Sequence, residues 1–355
     1  MQIVEVLAGL LLVLTVFADV FSSVLVPRPG HGRVRLGPAL SNALTPVWRK
    51  ASRRIRSPRL RQDFRGALAP MILVFSGVGW VGGLALGFAL MLHGLPREAH
   101  LPALGFGEAL FQATLAISTL GLVNASVHGF ARVVVALAGV SGFSVLTLVV
   151  AFLLSIQSAL HQRESLVLTL AARAGRPPSA VALLLAYEGA SDDEWAALFG
   201  EWERWAAQVL QSHLSYPVLF RFRSLDESGE WLSCLAVVMD AAAAIAAAAP
   251  AAASPADRPR ARRAATFLTA TGARAAREFA RIREVPDQRI GLAPAEATAV
   301  ERALVRAGIA PGGAGFGERL DAIRAGYAGR FPTLARWLDI KWHDPLTGEA
   351  EGGLP

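Results

Sequence analysis

Three stretches of this chain are longer and more apolar than the core helices of an ordinary water-soluble domain. Ile3–Val26, Leu68–Leu92 and Ala131–Ile156 are each a run of mostly apolar residues. The hydrocarbon layer of a bilayer is about 30 Å thick and takes roughly 20 helical residues to cross. Each segment is therefore expected to span a membrane. The first could be mistaken for a secretory leader, but it has no basic start, carries Glu5 and runs into Val26-Pro27-Arg28 without a small-residue cleavage site. It reads as a retained anchor.

Charge orients these spans. Residues 1–65 hold eleven basic and three acidic residues, and 66–159 hold two of each. Residues 160–355 hold 22 basic and 23 acidic residues, so the whole formal surplus of +7 lies between Arg28 and Arg65. Basic residues flanking a span stay on the cytoplasmic side. The expected topology puts the N-terminus outside, the basic loop inside, 93–130 outside and the long C-terminal part in the cytoplasm, in a multi-pass protein of the cell membrane. A surplus confined to one loop argues against nucleic acid as a partner and suits contact with anionic lipid heads. Arg53, Arg56 and Arg59 are spaced by three, as in a voltage sensor, but Ser57 and Pro58 interrupt them and no apolar helix carries them. The single Cys234 excludes a disulfide framework within the chain and any cysteine-rich metal site.

Gly77, Gly79 and Gly82 spell G-x-G-x-x-G inside the second span. A dinucleotide site needs a preceding strand, which is missing. Gly79, Gly83 and Gly87 recur every fourth residue, a spacing that lets two membrane helices approach closely. Asp19 and Glu5 are acids within the first span, where either pairing with a neighbour or a functional role would justify them.

Between the second and third spans, residues 106–117 are apolar but allow only about 18 Å of helix. Such a helix either lies on the surface or dips into the bilayer and returns. It is followed by Ser118, Thr119, Leu120, Gly121, Leu122, Val123 and Asn124. Non-helical backbone persists in a membrane only where protein buries it or where it lines a watery path.

A span, a short apolar helix, a Ser-Thr-x-Gly segment and a second span resemble the pore module of two-transmembrane potassium channels, here over 68–156. The wider chain resembles bacterial proteins described as potassium-channel-like. That likeness rests on Val24–Arg28, His161-Gln162-Arg163-Glu164, Ala171–Pro178, Glu201–Ala207 and Ser212–Pro217. The resemblance implies a filter at 118–124 whose carbonyls replace the hydration shell of potassium or another monovalent cation. It also implies four copies of the chain around one pore and no cofactor. Thr119, Leu120, Gly121 and Leu122 take the places of Thr-Val-Gly-Tyr, and Asn124 that of Asp. Val123 stands where the pattern has its second glycine, and a β-branched residue resists positive φ. A cation channel with a degenerate filter is the leading expectation, and a non-conducting membrane scaffold or sensor the alternative.

Independently of any likeness, a helix ending near residue 117 and aimed inward turns the negative end of its dipole toward the axis, which favours cations. Gly139 and Gly142 in the third span suit a gating hinge or close packing equally. Glu108 suits either the positive N-terminus of the short helix or an outer acidic ring.

The expected fold is an all-α membrane protein with three transmembrane helices, a re-entrant pore helix and loop, and a helical cytoplasmic domain. Its parts are an anchor helix (1–27), a basic loop (28–66), a pore module (67–158) and a cytoplasmic domain (159–355). In that last part Trp195, Leu198, Phe199, Trp202, Trp205, Ala206, Val209 and Leu210 follow helical spacing, and Ser191-Asp192-Asp193-Glu194 signals a helix start. Further helices are expected over 230–249, 260–283, 294–307 and 318–337. The apolar run ending at Pro250 reads as a buried core helix. No phosphate loop or catalytic cluster stands out, so an enzyme is not expected.

Overall fold

The computed structural model describes residues 2–24, 36–95, 104–118, 128–224, 230–248, 257–311 and 315–349. Among these the regular structure is helical, with no strand. The chain divides into two compact units, Met1–Gln157 and Ser158–Pro355.

The first unit contains α1 (Gln2–Val24), α2 (Leu36–Ser52), α3 (Pro58–Gly66), α4 (Leu68–Gly94), α5 (Phe106–Ile117) and the first part of α6 (Ala131–Arg173). The helices α1, α4 (from Phe64) and α6 are long and apolar enough to cross a membrane. Protein covers only about a third or less of each apolar window, which leaves Leu7, Leu14, Val78, Val140 and Leu154 exposed. Water penalises apolar surface of that extent, whereas lipid does not.

Close approach of α1 and α4 rests on glycine. Gly87 takes Val13 so closely that a Cβ would stand 2.8 Å from Val13 Cγ2, and Gly83 does the same to Val16. Gly9 returns the fit, its Cα facing the Gly87 carbonyl with no room for a Cβ. Gly83 and Gly87 thus serve the close approach that their spacing suggested, while a Cβ on Gly79 would instead stand 2.6 Å from Leu36 Cδ2 of α2. Polar links close both ends of this antiparallel pair. His93 Nδ1 meets Glu5 at 2.7 Å, while Trp80 Nε1 donates to Asp19 at 2.6 Å. Asp19 also accepts from the Leu36 backbone N–H, the first residue of α2. Both acids of the first span are thus partnered.

The second unit holds the rest of α6, then α7 (Ala180–Ala186), α8 (Asp192–Ser215), a 3₁₀ turn (Pro217–Arg221), α9 (Trp231–Ala247), α10 (Pro259–Arg283), α11 (Pro294–Arg306), α12 (Phe316–Arg324) and α13 (Arg330–Leu338). Ser191 and Glu194 form a reciprocal capping box at the start of α8, and all eight apolar positions expected on its inner face are buried. α9 is the hub of this unit, with α7, α8, α10, α11, α12 and α13 packed around it.

The helix that carries the third apolar segment runs past Ile156 without a break to Arg173. One expectation needs correction. The helix expected over 318–337 is two helices, α12 ending at Arg324 and α13 starting at Arg330; Gly329 before α13 lies so close to the Gln288 carbonyl that no Cβ would fit. The basic loop also contains two helices, α2 and α3.

Candidate functional site

The short helix α5 begins after extended Gly105 and presents Ala109, Gln112, Ala113, Ala116 and Ile117 inward at i, i+3, i+4, i+7 and i+8. Its buried face joins one apolar core with residues of α1, α4 and α6. Glu108 is exposed in the first turn, where a negative charge complements the helix N-terminus. It accepts a hydrogen bond from Gln112 Nε2 at 3.2 Å.

The C-terminal end of α5 is seated on glycine. A Cβ on Gly142 of α6 would fall on the Ile117 carbonyl oxygen and stand 2.7 Å from its Cα. One turn earlier, a Cβ on Gly139 would meet the Ala116 carbonyl oxygen at 3.5 Å. These two glycines therefore receive the last carbonyls of α5, which lack partners in the helix ladder. Ser118 closes the helix: its N–H donates to Thr114 O at 2.9 Å and its hydroxyl to Leu115 O at 3.2 Å. Geometry thus assigns Gly142 a close-packing position, and α6 runs through it unbroken. Of the filter residues expected from the sequence, Ser118 is exposed at the end of α5, while Thr119, Leu120, Gly121, Leu122, Val123 and Asn124 lie outside the described residues.

The second unit contains two buried polar assemblies that sequence reasoning did not single out. The first centres on Arg163, almost wholly buried in the later part of α6. Its Nε donates to Glu164 at 2.8 Å, and its Nη1 and Nη2 donate to the carbonyls of Leu219, Phe222 and Arg223. The guanidinium also lies 5.4 Å from the centre of the Trp231 ring. Burial lowers its pKa, with Glu164 and Glu230 opposing. Ser224 joins in by donating to Glu164 and accepting from Trp231 N–H. Glu230 accepts from both Ser224 N–H and Arg223 Nε. The result fixes the 217–224 turn from three sides. His213 is buried nearby with Phe220 and Trp231 rings each 4.7 Å away. Its Nδ1 sits 2.8 Å from the Val209 carbonyl and so carries the proton. Burial, then the charge of Arg163, brings its pKa down to about 3.

The second assembly is Asp240 in the middle of apolar α9. Arg324 donates to both of its oxygens at 3.1 and 3.3 Å, and Tyr327 Oη donates at 2.7 Å. Burial raises the Asp240 pKa, against the pull of Arg324 and Tyr327. Burial also works against charge on Arg324, but Asp240 outweighs it and the guanidinium titrates above its ordinary value. Three donors on one carboxyl serve the ionised form, so the assembly is an ion pair. Beside it opens a cavity of about 40 Å³ lined by Tyr327, Phe331, Trp342 and Asp344, and Arg324 Nη1 is buried there without a hydrogen-bond partner. That volume suits ordered water. A signal was present in the sequence: one acid amid an otherwise apolar helix requires a buried cation or donor.

Among the described residues no group of His, Cys, Asp and Glu is placed to hold a metal ion. Comparison with protein-family models, with curated proteins and with solved structures finds no match for this chain.

Proposed function

We propose that this chain is the subunit of an oligomeric, potassium-channel-like cation channel, with 118–124 as its filter and Ser158–Pro355 as its cytoplasmic part. The observation that carries the reading is the seating of α5. An apolar helix of 12 residues is too short to cross a bilayer, yet it shares one core with α1, α4 and α6. Its carbonyl end rests on Gly142, and the candidate filter follows directly. In a ring of subunits such ends converge on the axis, and their partial negative charges favour a cation there. One chain contributes one pore segment, so several copies are required, four by resemblance.

The exposed apolar faces of α1, α4 and α6 support this reading, since lipid and neighbouring subunits would cover them. The positive charge between Arg28 and Arg65 supports a cytoplasmic placement for that loop and for the second unit. Glu108, exposed at the start of α5, would then lie toward the outer mouth. Val123 favours one second reading, a scaffold or sensor that keeps the pore architecture without conducting.

Purified protein reconstituted in liposomes decides between them. The channel reading predicts passive flux of potassium or another monovalent cation down its gradient. Absence of cation flux under every gating condition, from protein shown to be inserted, would overturn it in favour of the scaffold.

A further inference from the structure

One face of α10 stands open to solvent and carries a distinctive pattern. At 100° per residue, Arg263, Phe267, Ala270, Arg274, Arg277 and Arg281 fall within about 40° of a single line along the helix. All six are exposed, with Phe267 at 53%. The opposite face, including Leu268, Ala276 and Phe279, is buried in the core of the unit. Arg281 has a partner, Glu278, at 2.8 Å. Arg263, Arg274 and Arg277 have no acceptor among the described residues. Arg274, Arg277 and Arg281 also follow one another at spacings where like charges on a helix repel. The acidic groups at the edge of the face are Glu278 and Glu203, the latter engaged with Thr271. A helix needing only solubility would mix its signs. This one lines an exposed aromatic ring up with arginine, Arg263 one turn before Phe267 and Arg274 two turns after it.

We propose that this face docks on an anionic membrane surface. Guanidinium groups pair with lipid phosphates in forked, charge-assisted geometry, while a phenylalanine among them enters the boundary between headgroups and acyl chains. The proposal rests on the reading of the first unit as membrane-embedded. Given that, the argument for lipid over an acidic protein is the tether: the second unit begins at Ser158, on the same continuous helix that carries the third apolar segment. Tethering of the unit to a membrane helix raises the effective concentration of headgroups, so that docking would need little intrinsic affinity. Each arginine contributes about fivefold to the ratio of docked to undocked protein.

The test uses the full chain carrying F267C, labelled there with an environment-sensitive dye; the native thiol, Cys234, is buried. Labelled protein is placed in nanodiscs of zwitterionic lipid and in nanodiscs enriched in phosphatidylserine. Docking predicts a blue-shifted emission and protection from an aqueous quencher in the anionic discs only, weakened by salt. Adding R263Q, R274Q and R277Q together should lower the docked-to-undocked ratio about a hundredfold. The same emission in both lipids would overturn the proposal. So would a blue shift produced in zwitterionic discs by added polyglutamate but not by anionic lipid, which would point to an acidic protein partner. A shift present in both lipids and retained by the triple variant would point to burial against a second copy. Failure of the protein to enter the discs at all would instead remove the membrane reading on which the proposal stands.

Discussion

α1 and α9 are both apolar helices that carry an acid well inside their length, Asp19 (with Glu5 in the first turn) and Asp240, yet they meet opposite fates. In α9, 15 of 17 residues are buried by other helices of the same unit. In α1, five of 23 are. Composition alone does not separate them. Length does: 17 residues reach about 25 Å, short of a bilayer, and 23 reach about 34 Å. The acids divide the same way. Asp240 is closed off from solvent and meets a guanidinium and a phenol. Asp19 is half-buried and, among the described residues, meets an indole N–H and a backbone amide. A helix surrounded by protein can recruit a full ion pair from its neighbours in the same unit.

The sharpest way to break this comparison is to remove the two acids in turn. Asp240→Leu strands Arg324 as a buried charge and should cost about 3–5 kcal/mol. The double variant Asp240→Leu/Arg324→Met removes both charges and should recover much of that loss. Asp19→Asn keeps an oxygen for Trp80 and should cost only about 1 kcal/mol. Thermal midpoints of the purified protein, followed by near-ultraviolet circular dichroism, measure all three. If the double variant is no better than Asp240→Leu alone, the Asp240–Arg324 ion pair is not what sets the cost.

Packing draws a finer contrast within the first unit. Gly142 has no room for a side chain beneath Ile117, whereas Gly82 has nothing within 4 Å of the position a Cβ would take. Gly142→Val should therefore displace the carbonyl end of α5 at a cost of up to about 3 kcal/mol, with any conductance lost along with it. Gly82→Ala should leave the thermal midpoint unchanged or slightly raised. Equal behaviour of the two variants would mean that α5 does not rest on α6 in this way.

These contrasts also mark how much could be read from the chain. Apolar length gave the three long helices, and the four-residue glycine spacing gave the α1–α4 contact. The period of Trp195 through Leu210 gave α8 with its buried face. Each of these signals is local and repeats along one segment. What stayed hidden depends on partners far apart in sequence. Nothing in Arg163 announces that it will bind carbonyls of 219–223, and nothing in Arg324 names Asp240. The α12–α13 break over 325–329 was not read from the sequence either. The short apolar helix expected over 106–117 is α5, while the proposed filter residues Thr119–Asn124 lie outside the described residues.

Acid offers a third and smaller contrast, because none of the first unit's histidines among the described residues is buried as His213 is. Its pKa is about 3 in the folded protein against an ordinary value near 6.5. The unfolded chain therefore binds a proton that the folded chain refuses over the whole interval between those values. Stability contributed by neutral His213 is complete above pH 6.5 and is lost as pH falls, by about 1.4 kcal/mol for each unit below it. At pH 5 the loss is about 2 kcal/mol. His213→Phe places a ring among Phe220, Trp231 and Phe279 with nothing to protonate. Its melting temperature should fall less steeply than that of the wild type between pH 6.5 and 4. An unchanged slope would mean that protons taken up elsewhere govern the acid sensitivity of the second unit, and that the burial of His213 is incidental to it.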